Sequence, residues 1–416
     1  MRSVVRLLTG VVAGALALGV VVAPPASAAD EIVIWSDAAH ASAIRDLLPD
    51  GYEGTPVTVV EKDPATVRAD LATVGARQAP DLLWGDLAWT GELASADLLA
   101  PITLKKDVRA QFRANVLAGS VVEGKQYGLP VQISNLALIT NTALVPQQPR
   151  TFAELSDLAL KLSKRKKKIN VPFALPQGEG TSPWTTYPLF SGLGGYLFAR
   201  KADGSLDVGS IGLSSPALRA NAAQIDTWNS SGLISAKLTA EAAKAAFAEG
   251  RSPFWLAGPE ALQDLLALKF AYRIGAMPPM RAGLAPAPLL TIHGFMVTPF
   301  AEKHGVSEQV GSLVGSFLAR QKSQQRLAAA SGQFPANLKA AEVVDTGGGR
   351  IRAIGNAGAA GVPMPNVPQA GVLWGPYATA WSESTAGAKA IRAAKAFRAA
   401  QRAAEAALAG GDVPTQ

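Results

Sequence analysis

Short apolar runs and stretches of helical periodicity alternate along the first ninety residues. Residues 31–35 (E-I-V-I-W) form an apolar run closed by Ser36 and Asp37, which predicts a buried strand. A helical pattern over 41–48 follows, then a β-branched run at 56–60 (P-V-T-V-V), a helix over 66–75 and a third run at 81–84 (D-L-L-W). Strands that alternate with helices predict a parallel sheet covered by helices. Ligands of such sheets bind beyond the carboxyl ends of the strands. That rule places Ser36, Asp37, Gly85 and Asp86 at the edge of a site.

The pattern continues less regularly. Residues 136–140 predict a strand, and 151–162 predict a helix opened by Thr151. An Ala-rich helix at 241–248 stops at Gly250, and a strand at 254–256 stops at Gly258-Pro259. Helices are expected over 307–318 and over 386–408. The Gly-rich stretch 347–361 reads as a loop or a loosely packed helix. It has no closing Lys-Ser/Thr pair, so it is no phosphate loop.

The N-terminus adds a destination. Arg2 and Arg6 precede an uncharged apolar run from Leu7 to Ala23, and Ala26-Ser27-Ala28 offers small residues at the −3 and −1 positions. This predicts a secretory signal peptide over residues 1–28 and an extracytoplasmic product. The chain has no cysteine. Disulfides and a cysteine-linked lipid anchor are therefore not expected, and stability must come from packing. The net charge of +7 includes Arg2 and Arg6, and much of the rest lies in 164–168 (K-R-K-K-K) and 389–402. No aromatic residues interleave with the lysines to stack bases, so the run reads as a solvated helix end rather than a nucleic-acid surface.

Several short strings then point to one family. Met364-Pro365-Asn366-Val367-Pro368-Gln369 followed by Trp374 is the most specific. Ile32-Val33-Ile34-Trp35, Ala79-Pro80-Asp81-Leu82-Leu83, Gly124-Lys125 with Gly128-Leu129-Pro130-Val131, Asn135 through Asn141, Thr151-Phe152-Ala153-Glu154-Leu155, Gly194-Gly195-Tyr196 and 241–250 fit in order and spacing. With these strings the chain resembles the maltose/maltodextrin-binding proteins, the solute receptors of ABC sugar importers. The resemblance implies an α/β, bilobal periplasmic-binding-protein-like fold, with two α/β lobes joined by a multi-crossing hinge. It implies an N-terminal lobe of residues 29–132 and 293–337, a C-terminal lobe of 133–292 and 338–416, and a ligand cleft between them. It also implies an oligosaccharide ligand, a membrane permease as partner, a monomer and no cofactor.

A sugar site needs flat aromatic faces for the C–H faces of pyranose rings, and polar groups for the hydroxyls. Trp84 and Trp89 flank Asp86 just after a strand end; Trp184 and Tyr187 lie in the Pro-bounded stretch 178–188; Trp374 follows a Pro-rich turn. By position, Trp184 and Trp374 match stacking residues of the family, whereas Trp35, Trp228, Trp255 and Trp381 read as packing residues. The polar rim departs from the family pattern. Ser134 and Ser182 stand where the family has carboxylates, Glu260 replaces a tryptophan, and Trp89 replaces a basic residue. The candidate ligand-binding set is therefore Asp37, Trp84, Asp86, Trp89, Ser134, Trp184, Tyr187, Glu260 and Trp374.

Two other readings stand beside this one. A glycosidase would need two carboxylates about 5–5.5 Å apart if retaining, and Asp37, Asp86 and Glu260 are the available groups. His40, His293 and His304 have no i,i+4 pair, so no zinc site is expected, and there is no G-x-S-x-G elbow. A sugar receptor feeding a sensor would have the same sequence as one feeding a transporter.

Overall fold

The first three apolar runs form the strands Ile32–Ser36, Val57–Glu61 and Leu82–Asp86 in a computed structural model of the chain, in which residues 31–178, 182–281 and 283–410 are described. The export signature at 1–28 lies outside them. The three strands are parallel: Ile32 through Ser36 pair with Val57 through Glu61, and Ile34 and Trp35 pair with Leu82 and Leu83.

The parallel expectation holds for these three and for the pairing of Leu289–Val297 with Val362–Pro363, but not for the rest of the sheet. The long strand Leu289–Val297, which the apolar runs did not predict, lies antiparallel between Leu82–Asp86 and Gly128–Ser134. Phe334–Pro335 pairs antiparallel with Gly128–Ser134 at the edge, and Val362–Pro363 adds to Leu289–Val297 to complete a seven-stranded sheet. A βαβ crossover within one sheet makes its strands parallel. Leu289–Val297 is exempt, because the chain returns to it from the elements between 137 and 275.

Those elements include an antiparallel three-stranded sheet, in the order Phe254–Ala257, Ala137–Asn141, Tyr272–Gly275. Period-two alternation divides its two faces between two cores. Leu138, Phe254 and Leu256 pack into one cluster with Phe152, Leu155, Tyr377 and Phe397. Ala137, Ile139, Trp255 and Ala257 join the other cluster, which includes Ile34, Leu83 and Phe295 of the seven-stranded sheet.

Helix Phe152–Arg165 starts where its cap predicts: Thr151 Oγ1 accepts from Glu154 N at 3.2 Å, and Glu154 Oε2 accepts from Arg150 N at 2.7 Å. Lys164 and Arg165 fall in its last turn, where cations suit the helix dipole. The Gly-rich stretch contains a helix, Arg350–Ala357, behind three glycines in left-handed conformation (Gly347, Gly348, Gly349).

The C-terminal region departs most from expectation. The helix expected over 386–408 runs over Ala393–Gly410 behind a turn at Gly387–Lys389, and a further helix, Gly371–Ser384, precedes them where none was expected. Helix Gly371–Ser384 contains Pro376, a residue that ordinarily breaks a helix interior. Packing overrides it: Tyr377, Ala380 and Trp381 are buried against Phe397 and its neighbours. Among the described residues, no helix is long and apolar enough to cross a membrane.

Candidate functional site

Strands Ile32–Ser36 and Leu82–Asp86 run parallel, and each ends at or one residue before an aspartate that caps the next helical turn. Asp37 accepts from His40 N at 2.9 Å at the start of helix Ala38–Leu47. Asp86 accepts from Ala88 N at 2.9 Å at the start of the turn Leu87–Trp89. Asp37 also meets His40 Nδ1 at 2.8 Å and accepts from Trp84 Nε1 at 2.9 Å. Burial alone would raise its carboxyl, but the hydrogen bonds and charge of His40, with the Trp84 bond, hold it below the usual aspartate value. Asp86 goes the other way. Burial pushes its carboxyl up against the opposing charges of His293 and Arg68.

Period-two alternation turns Trp84 inward. It is 3% exposed, with its ring 4.2 Å from His40 and 5.1 Å from Phe295, so no ring face is open to a ligand. Trp89 is half-buried, and its ring lies across Gly85: a Cβ there would stand 2.2 Å from Trp89 Cζ3. The Arg68 guanidinium lies 5.4 Å from the Trp89 ring centre. Asp37, Trp84, Asp86 and Trp89 thus form one group at the strand ends.

Ser134 is the last residue of Gly128–Ser134, half-buried opposite Thr291. Glu260 is exposed, and its Oε1 accepts from Gly258 N at 2.7 Å, so it caps its own turn.

The second group is aromatic. Trp184 is 44% exposed, a large indole left in solvent. Its ring stands edge-to-face on Trp374, 6.2 Å between centres and 76° between planes. Trp374 is half-buried and sits in the first turn of helix Gly371–Ser384, just after the turn Pro368–Ala370. Tyr187, three residues beyond Trp184, is 2% exposed beside Phe190, and burial pushes its phenol far up. It belongs to the core and has no surface for a ligand. Trp35, Trp228, Trp255 and Trp381 are all buried, as packing residues.

No hydrogen bond or ring contact among the described residues joins Trp184 and Trp374 to the Asp37–Trp89 group, to Ser134 or to Glu260. Among the described residues, no group of three or more His, Cys, Asp or Glu side chains is placed to hold a metal ion. Sequence reasoning missed the polar residues around Trp381, among them Gln177, Thr185 and Ser382.

This architecture is that of a two-lobed fold rather than of a single α/β domain. A cyclo/maltodextrin-binding protein complexed with maltotetraose superposes with a TM-score of 0.78 at 23% identity, over 91% of this chain and 97% of that one. An extracellular solute-binding protein from Staphylococcus aureus in complex with maltose gives 0.78 at 19% identity, over 92% and 99%. Both share with this chain the two-lobe periplasmic-binding-protein fold. A family model described as bacterial extracellular solute-binding protein matches residues 50–348, and the chain belongs to that family. The galactooligosaccharide-binding protein of Bacillus subtilis (strain 168) is 24% identical over 368 residues, 86% of this chain and 85% of its own length. A maltooligosaccharide ABC transporter solute-binding lipoprotein of Streptococcus pneumoniae (strain ATCC BAA-255 / R6) is 23% identical over 321 residues, 74% of this chain and 72% of its own. These relatives are named as binding proteins, not as enzymes.

Proposed function

We propose that this protein captures a neutral oligosaccharide between its lobes and delivers it to the membrane permease of an ABC importer. The observation that carries the reading is the Trp184–Trp374 pair, a solvent-facing aromatic edge braced by a second indole. Such a surface suits the C–H face of a pyranose and loses little entropy on binding. The names of the relatives support an oligosaccharide as the ligand class.

The N-terminal lobe in this reading takes residues 29–132 and 293–337, and the C-terminal lobe takes 133–292 and 338–416. Ligand that touches both lobes only in the closed state shifts the population toward closure, and the permease reads the closed shape. Asp86, Trp89 and Ser134 are the first-lobe and crossing groups for the sugar hydroxyls and ring. Export by residues 1–28, an extracytoplasmic location and a monomeric receptor complete the proposal.

Catalysis is not part of it. Asp37 is committed to His40 and Trp84, and Glu260 to its own backbone. A glycosidase needs one carboxyl held protonated as the acid and a second free on the other side of the bond. A thermal-shift screen against di- and oligosaccharides tests the proposal, since ligand bound only by the folded form raises the melting temperature. A panel of gluco- and galacto-oligosaccharides without any shift would remove it, and new reducing ends released by the pure protein would replace it with the enzyme reading.

A further inference from the structure

Helix Phe152–Arg165 ends in Lys164 and Arg165, and the chain runs on through Lys166, Lys167 and Lys168 before it turns inward. Ile169 N donates to Lys166 O at 2.8 Å and closes that turn, and the Ile169 side chain is 2% exposed. Lys167 and Lys168 are therefore held at its tip, in solvent. Folding brings further cations beside them. Arg251 Nη1 donates to Asn170 Oδ1 at 3.2 Å, and Lys237 lines the same depression as Asn170.

The helix accounts for only part of this charge. Cations suit its last turn, but the effect of the dipole falls off within that turn. Lys164 and Arg165 are explained, and the three lysines beyond them are not. Ion pairs do not explain them either. Lys62 meets Asp70 and Lys244 meets Asp264, whereas among the described residues no carboxylate pairs with Lys161 or with residues 164–168. Glu249 is close by, bonded to Arg251 at 2.6 Å. Like charges left side by side repel, a cost to the folded state that a polyanionic partner removes. The face is also unlike a protein–protein interface, whose centre is apolar and poor in lysine. Every exposed position of 161–170 is Lys or Arg except Asn170, while Leu162 is half-buried and Ile169 buried. No aromatic side chain stands among them to stack a base.

We propose that this basic face rests on the anionic headgroups of a membrane surface and holds the exported protein close to the bilayer. The proposal depends on the export reading above, which sets the protein against the outer face of a membrane, and not on the identity of its sugar. A purely cationic, projecting surface suits a plane of negative charge, because several lysines meet it together and none needs a pocket. Each lysine close to such a plane adds roughly fivefold to partitioning, about 1 kcal/mol. The attraction reaches about one Debye length, ~10 Å at 0.1 M salt, so the contact is reversible and sensitive to salt.

The test is cosedimentation of the chain from Ala29 onward with vesicles of phosphatidylglycerol and phosphatidylcholine in equal parts, and with phosphatidylcholine vesicles alone. Leaving out residues 1–28 keeps their apolar run from inserting by itself. The wild type is expected to bind the mixed vesicles at about 0.1 M salt and to lose at least about tenfold at about 1 M, where the Debye length is ~3 Å. Lys164→Gln/Lys166→Gln/Lys167→Gln should lose roughly a hundredfold. Lys395→Gln/Arg398→Gln/Arg402→Gln removes the same charge from exposed positions of helix Ala393–Gly410 and should bind as the wild type does. Should the first variant fail to fold, Lys166→Gln/Lys167→Gln, at and beyond the helix end, decides with a loss of roughly twenty-fivefold. Equal losses in the two triple variants would assign binding to net charge and overturn the proposal. So would no binding to the mixed vesicles, equal binding to phosphatidylcholine alone, or binding to soluble polyphosphate and not to vesicles.

Discussion

Gly91 lies so close to the backbone of Asn366 that a Cβ on it would stand 1.9 Å from the Asn366 carbonyl oxygen. Asn366 is 1% exposed, and its Nδ2 donates to Thr90 Oγ1 at 3.2 Å and to Val121 O at 3.1 Å. The Met364–Gln369 string, the most specific piece of the sequence resemblance, is thus a joint that fastens distant parts of the chain. It leads directly into helix Gly371–Ser384, which carries Trp374.

Gly91→Ala should therefore destabilise the fold by about 1–3 kcal/mol, the usual cost of forcing an extra methyl into a packed site. Urea denaturation measures it. An unchanged midpoint would mean that the two backbones can part without cost.

The fold was legible wherever local pattern and tertiary role agreed. The runs at 31–35, 56–60 and 81–84 became parallel strands within two residues of their expected bounds, and Thr151 opened its helix as its cap predicts. It failed where long-range packing won. Leu289–Val297 has a partner on both sides, yet its direction depends on an excursion through another sheet that no local pattern encodes. Helix Gly371–Ser384 survives Pro376 because its aromatic face is buried. The site was legible in part for the same reason. Sequence can mark Trp184, Tyr187 and Trp84 as aromatics near element ends, but only packing separates the exposed indole from the two buried rings.

That separation makes a contrast that mutation can read. Trp184→Ala should weaken sugar binding at least tenfold yet leave the melting temperature nearly unchanged, since the ring is largely in solvent. Trp374→Ala should weaken binding as much and also lower the melting temperature, because this ring packs against the core cluster of Phe152, Tyr377 and Phe397. Titration calorimetry and a thermal melt give the two numbers. Equal melting losses, or unchanged affinity in both variants, would contradict the assignment.

Tyr187 supplies the opposite case. Tyr187→Ala should cost about 3–5 kcal/mol of stability by opening a cavity beside Phe190. Tyr187→Phe keeps the ring volume, so its sugar affinity should stay within about twofold of the wild type. A large loss of affinity in Tyr187→Phe, with stability intact, would return this residue to the cleft.

The last prediction concerns pH. His304 Nδ1 lies 2.8 Å from Asp81 Oδ1 and Nε2 lies 2.6 Å from the carbonyl oxygen of Ala76. Both neighbours only accept, so the imidazolium, with two N–H groups, fits the position and the neutral ring leaves one contact unmade. Burial and Lys303 oppose the charge, but the Ala76 carbonyl and the Asp81 carboxylate outweigh them and raise the His304 pKa above its ordinary 6.5. Asp81 is fully enclosed; burial raises its carboxyl too, against the Val33 N–H and His304. For a histidine whose folded pKa is raised, the stabilisation is complete below the unfolded value and disappears as pH climbs through the folded one. Urea midpoints should accordingly fall as pH climbs from the ordinary histidine value through the raised His304 pKa. His304→Gln should flatten that slope, since Gln cannot titrate, and should lower stability most at the acid end. A slope that persists unchanged in His304→Gln would assign the pH dependence to other groups.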